Sequence, residues 1–295
     1  MTRTLTMVLV AASVMIAAAP PAFWGRHGHE ISGRAAATKL PAGLPAFFRN
    51  ATEQLVYLNP EPDRWRDSEA AAMDEAWKYD HYVDFEVIPN AALLAPDRFS
   101  YLAELRRTTQ MERPARDAGL LPYRILEMHQ RLVAEFREWR AADGDDARRA
   151  WIEQRIINDA GILGHYVTDG ANPQHTSVHH NGWNESYPNP RGYTTDRTFH
   201  SRFESRFVEA RITANDLIPR IAAQPRHLED VRADVMAYLR ASNAQLDRLY
   251  QLEQKQPFGP ANTSAAHKEF ALQRLVAGAE MLRAMWWSAW IESGR

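Results

Sequence analysis

Residues 145–170, DDARRAWIEQRIINDAGILGHYVTDG, decide the fold class. Asp145-Asp146 supply a helix cap, and Gly170 lies where the helix is predicted to end. Between them Trp151, Ile152, Ile156, Ile162 and Leu163 follow a helical stripe. On the N-terminal side Pro122 suits the first turn of a long helix running to Arg140. Shorter helices are predicted over Glu30–Leu40, Leu44–Tyr57, Ser68–Trp77 and Arg98–Arg107. On the C-terminal side the pattern predicts helices from Thr198 toward Ile218, over Leu228–Leu252 and over Ala265–Trp290. His81–Val87 reads as locally extended. Residues 143–146 form a polar link, and Ala171–Arg197 is a long loop rich in Gly, Pro and Asn. No alternating strand pattern and no hairpin signal stands out. The chain is therefore expected to be all-α, with one multi-helix domain over residues 23–295.

The start of the chain reads differently. Arg3 precedes an almost unbroken apolar run from Met7 to Ala19, followed by small residues. That is the pattern of a secretory signal peptide over residues 1–22, cleaved near 22–23. The run is short for a membrane span, which needs about 20 apolar residues. A secreted or periplasmic protein is expected.

Composition narrows the function classes. The 295 residues are 45% hydrophobic and 24% charged, which excludes disorder. With 35 Lys+Arg against 37 Asp+Glu, the net charge of -2 argues against a general nucleic-acid coat. It leaves room for a nuclease that handles phosphates through metal ions. The chain has no Cys, so it has no disulfide framework, no Cys-ligated zinc and no thiol nucleophile. No Gly-x-Ser-x-Gly elbow is present either.

The chemistry concentrates in His and carboxylates. His165 and Asp169 lie four apart at the end of the decisive helix, a spacing that puts both on one face. Gly170 and Pro173 then turn the chain, so that His175 can reach the same cavity. His200 and Glu204 repeat the four-residue spacing. Neutral imidazole and carboxylate are natural zinc ligands. Upstream stand Trp24-Gly25-Arg26-His27-Gly28-His29, Trp65-Arg66-Asp67 and His81-Tyr82-Val83-Asp84.

In this order and spacing the motifs resemble the zinc-dependent phospholipase C and S1/P1 nuclease superfamily, over Trp24 to about Phe207. The resemblance implies three Zn²⁺ ions. Asp67, His81, His165 and Asp169 would hold the first. His175, His200 and Glu204 would hold the second. His29, a bridging Asp169, and the amino nitrogen and carbonyl oxygen of Trp24 would hold the third. Asp63 is a rival to Asp67, which is preferred for its Trp-x-Asp context. The terminal nitrogen of Trp24 is available only if Phe23 is removed. The implied activity is hydrolysis of a phosphodiester, with Asp67 orienting the attacking water or accepting its proton. Glu204 and the Phe199-His200-Ser201 context look like the phospholipase C side, which leads. The Trp24-to-His29 spacing and the long loop before His200 look like the single-strand nuclease side, the alternative. Trp183, Tyr187 and Tyr193 can serve base stacking, transient contact with a membrane surface, or simple anchoring of the loop. A non-catalytic, metal-stabilised binding protein is the remaining class, and no obligate protein partner is implied.

Overall fold

The computed structural model describes residues 25–67, 69–142 and 144–295. The expected signal peptide and Trp24 lie outside the described residues. The described residues are 68% helical, and their β structure is a single bridge between Val83 and Gly119. The all-α expectation holds.

Helix α1 spans Gly25–Ala37 and α2 spans Thr52–Leu58, followed by the single-turn α3 over Glu61–Arg64. The two longest predicted helices of the centre are α4, Leu121–Ala141, and α5, Asp146–Ala171. Asp145 caps α5 by accepting the Arg148 N–H at 3.0 Å. Helix α6 starts at Phe199–Ser201, widens into a π-turn over Arg202–Phe207 and resumes over Val208–Arg211. Helix α7 covers Val231–Asn243, α8 covers Leu246–Lys255, and α9 closes the chain over Ala265–Glu292.

The core forms where α4, α5 and α9 pack together and α1 leans on them. Leu132 and Phe136 of α4, Ile152, Ile156 and Leu163 of α5, and Leu275, Leu282 and Trp286 of α9 are essentially inaccessible. Ala35 and Ala36 let α1 approach closely. The stripe on α5 is narrower than its sequence suggests. Trp151 is 67% exposed, because one residue of helix rotates it about 100° away from Ile152. Three predicted helices break, among them the one from Thr198 toward Ile218, at Ile212-Thr213. Leu44–Tyr57 is interrupted at Asn50-Ala51, and Leu228–Leu252 splits after Asn243. The result for function is that the C-terminal end of α5 is walled in by α1, α2, α3 and the His81 segment.

Candidate metal centre

His165 and Asp169 sit on the buried last turns of α5, and neither is exposed. Gly164 precedes them for a steric reason. A Cβ at this position would stand 2.5 Å from Asn59 Nδ2, so only glycine lets Asn59 lie against the helix. From there Asn59 orients two histidines. Its carbonyl oxygen accepts from His165 Nδ1 at 3.0 Å, and its side-chain Oδ1 accepts from His29 Nδ1 at 3.0 Å. Each ring is thereby left with Nε2 as its lone-pair atom.

The His81 segment is locked from both sides. Next to it, the Asp80 carboxylate accepts Arg124 Nε at 2.7 Å and Arg98 Nη1 at 3.2 Å. Gly119, with φ +76°, lies so close that a Cβ would stand 2.1 Å from the Tyr82 carbonyl. Tyr82 is extended and Val83 bridges Gly119, but His81 ends one 3-10 turn and Phe85–Val87 forms another, so the His81–Val87 stretch is extended only in part. His175 closes the arrangement reciprocally. Its Nδ1 donates to the His81 carbonyl at 2.7 Å, and its own carbonyl accepts the Val83 N–H at 2.9 Å.

On α6 the π-turn buries Phe203 and Phe207 against Phe258, with ring centroids 4.9 and 5.0 Å away. The same segment brings Glu204 Oε2 within 2.8 Å of His200 Nε2. Such widened turns are frequent at functional sites. The His180 backbone hydrogen-bonds the His200 ring, and Asn172 Nδ2 donates to Glu204 Oε2 at 3.1 Å.

Three groups of potential ligand atoms result. In the first, His81 Nδ1, His165 Nε2 and Asp169 Oδ2 form a triangle with edges of 3.0, 3.1 and 3.3 Å. In the second, the edges among His175 Nε2, His200 Nε2 and Glu204 Oε2 are 3.2, 3.4 and 2.8 Å. The third is looser and joins His29, Asp63 and His165. His29 Nε2 lies 3.5 Å from Asp169 Oδ1 and 4.0 Å from Asp63 Oδ2. His29 Nε2, Asp63 Oδ1, Asp169 Oδ1 and Glu204 Oε1 are buried and take part in no hydrogen bond. Leaving such atoms unsatisfied is costly, and a shared cation relieves the cost for all of them.

The protonation pattern agrees. Burial lowers His81 and His200 to about 4, so both rings are neutral near pH 7. Burial works to raise Asp169, but His175 and His165 override it and hold the carboxylate well below its ordinary range. Burial pushes Glu204 up to about 8 against the pull of His175. Burial likewise works to lower His165, yet Asp169 and Asp63 draw it upward. Positive charge is what this cluster lacks.

His165, Asp169, His175, His200 and Glu204 thus meet as their spacing suggested, and His29 and His81 join them as the resemblance implied. Asp67 does not. It lies beyond the end of α3 in an exposed turn, where its Oδ1 accepts the Glu69 N–H at 2.8 Å. Its rival Asp63 takes the place, because α3 packs on α5 and aims Asp63 at His165 Nε2, 3.7 Å from Oδ1. Asp63 reaches two groups at once, through Oδ1 to His165 and through Oδ2 to His29. Asn59, Arg66, Asn172 and Asp84 were not singled out by sequence reasoning. Arg66 and Asp84 stood there only as neighbours within the Trp65-Arg66-Asp67 and His81-Tyr82-Val83-Asp84 motifs.

Above His175 and His200 opens a cavity of about 450 Å³. Arg66, Arg116 and Arg197 line it together with Tyr82 and Asp84. Burial raises Asp84 to about 7, with Glu86 adding to the effect, so its carboxyl can donate or accept near neutral pH. Trp183, Tyr187 and Tyr193 are turned to another use. Trp183 stacks on His179 at 3.7 Å, Tyr187 meets the edge of the same ring, and Tyr193 packs on Tyr250 while its hydroxyl donates to Asp247. They anchor the loop to the body of the protein.

No family model, no curated protein and no solved structure matches the chain. The class of the protein therefore rests on its helices and on these three clusters.

Proposed function

We propose that the chain is a zinc-dependent phosphodiester hydrolase acting on a polyanion, with single-stranded nucleic acid as the class of substrate. The observation that carries this reading is a set of ligand triangles opening into an arginine-lined cavity. Tetrahedral zinc with bonds of about 2.0–2.1 Å needs ligand atoms roughly 3.3 Å apart. The two tighter groups have edges between 2.8 and 3.4 Å. His81, His165, Asp169 and Asp63 would hold one ion, His175, His200 and Glu204 a second, and His29, Asp63 and Asp169 a third. When bound, zinc supplies Lewis acidity for a phosphoryl oxygen and acidifies water toward neutral pH.

The chain's own groups divide the remaining work. Arg66 lines the cavity beside the ligands and can bind a non-bridging phosphate oxygen. The Asp63 side chain is 23% exposed, whereas those of Asp169 and Glu204 are fully buried. Asp63 is thus the cluster carboxylate that incoming water can reach, and its oxygen can accept the proton as water attacks phosphorus. In the reaction the new bond joins water oxygen to phosphorus, the bond to the leaving alcohol breaks, and that alcohol takes up a proton.

The cavity favours nucleic acid over phosphatidylcholine. A choline head group carries a quaternary ammonium, which aromatic cages hold and guanidinium groups repel. A purely structural metal site would be closed, whereas this one adjoins an open cavity. The test is a paired assay of zinc-loaded protein on oligothymidylate and on phosphatidylcholine vesicles, with metal content measured alongside. Nucleotide release is expected. Diacylglycerol release alone would move the protein to the phospholipase C reading, and full zinc without turnover on either would leave a metal-stabilised binding protein.

A further inference from the structure

A second cavity, of about 210 Å³, adjoins the first. His180, Asn181 and Arg197 line both, so the two form one groove that leads from the metal ligands out along the anchored loop. The outer chamber is lined mainly by polar groups, including Asn184, Ser186 and Thr195, with Glu185 as its one acid.

Arg197 is the cation at the seam. It is exposed, and it makes no hydrogen bond or ion pair to any described residue. Most other arginines near the groove are engaged. Arg191 pairs with Asp247, Arg202 with Asp196 and Glu253, and Arg116 with Asp117. The wall that carries Arg197 is firm. Tyr193 is pinned through Tyr250, the Trp183 N–H donates to the Thr194 carbonyl at 2.7 Å, and Asp196 takes the Thr198 N–H at 2.8 Å. A guanidinium held at the junction of two chambers, without an internal partner, suits an anion that arrives with the substrate.

We infer that the outer chamber is a second substrate subsite, in which Arg197 binds the phosphate next to the one that is cleaved and the polar walls hold the nucleoside beyond it. This rests on the phosphodiesterase reading. It makes chain length a determinant of turnover: a dinucleotide carries no second phosphate for Arg197 at the seam, and a longer strand supplies one.

The test compares wild type with Arg197→Gln and Arg197→Lys, all zinc-loaded, on thymidylate dimer and hexamer. Wild type is expected to favour the hexamer in kcat/KM. Arg197→Gln should lower the hexamer-to-dimer ratio by about tenfold, and Arg197→Lys should restore part of it. A second readout is binding of a labelled, non-hydrolysable phosphorothioate hexamer at several salt concentrations. Loss of one phosphate contact should reduce the slope of log K against log salt by about 0.7. An unchanged ratio and slope in active Arg197→Gln would overturn the subsite and leave the proposed activity standing. Wild-type protein that binds zinc and cleaves neither dimer nor hexamer would overturn the activity, and the subsite with it.

Discussion

Helix α5 buries two acids ten residues apart, about 15 Å along its axis, and treats them in opposite ways. Asp159 meets Arg131 at 2.7 Å and takes Asn158 Nδ2 on its other oxygen at 3.0 Å. Glu135 of α4 stands beside it, pushed up to about 8 by burial and by Asp159 itself. Asp169 instead faces His81, His165, His29 and His175 at 3.1 to 3.6 Å. A buried carboxylate is therefore no metal signature by itself. A guanidinium has only donors to give, so its positive charge offsets the acid across this ion pair, even though Asp159 Oδ2 makes no hydrogen bond. An imidazole whose other nitrogen already donates to a carbonyl, as in His29 and His165, presents only its one lone pair, and such rings beside carboxylates leave a site short of positive charge.

Exchanging the two acids should give the largest contrast. Asp169→Asn is expected to lose zinc and to lower hydrolysis roughly 10³-fold. Asp159→Asn should keep its zinc and most of its activity, as read by elemental analysis and rates on one preparation. Equal zinc loss in both would erase the distinction between the two ends of the helix.

Next in size is the choice between neighbouring acids. Asp63→Asn should cost about 10²-fold in rate and at least part of the zinc, while Asp67→Asn should stay within about twofold of wild type. The reverse order would return the ligand to Asp67. A smaller effect comes from the orienting shell. Asn59→Ala removes the Oδ1 that orients His29, while the backbone carbonyl that orients His165 stays in place, and it should weaken zinc binding by roughly 10-fold, measured by competition with a chelator. Wild-type affinity would show that the His29 ring holds its orientation unaided.

The smallest effect lies at the other end of α5. The folded Glu135 carboxyl binds its proton more tightly than the unfolded one, whose pKa is about 4.3. Its contribution is complete below that value and is lost as pH rises toward 8. Glu135→Gln should flatten this loss and raise Tm at pH 8.5 by about 2–4 °C. A pH profile that parallels wild type would place the proton elsewhere.

Much of this was legible in the chain. The His165–Asp169 and His200–Glu204 spacings work because four residues of helix return a side chain to the same face, and that rule needs no partner. The loop residue His175 was legible because Pro173 marks where the chain leaves the helix, although Gly170 itself stays helical and Asn172 forms the cap. Asp67 was misread for the complementary reason. It and Asp63 stand four apart beside the same Trp65, and nothing local says which one faces α5. The loop aromatics were open to three uses, and only their packing on His179 and Tyr250 selected one.

The amino-acid sequence by itself determined the helical class, the long α4 and α5 helices and the five candidate ligands that fall at helical or turn spacings, because these follow from short-range periodicity and backbone geometry. Tertiary structure decided the rest: Asp63 over Asp67, Asn59 as the orienting group, and a groove with Arg66 and Arg197 on its walls. Those choices join elements far apart in the chain, and which surfaces meet is set by the packing of the whole bundle rather than by any one segment.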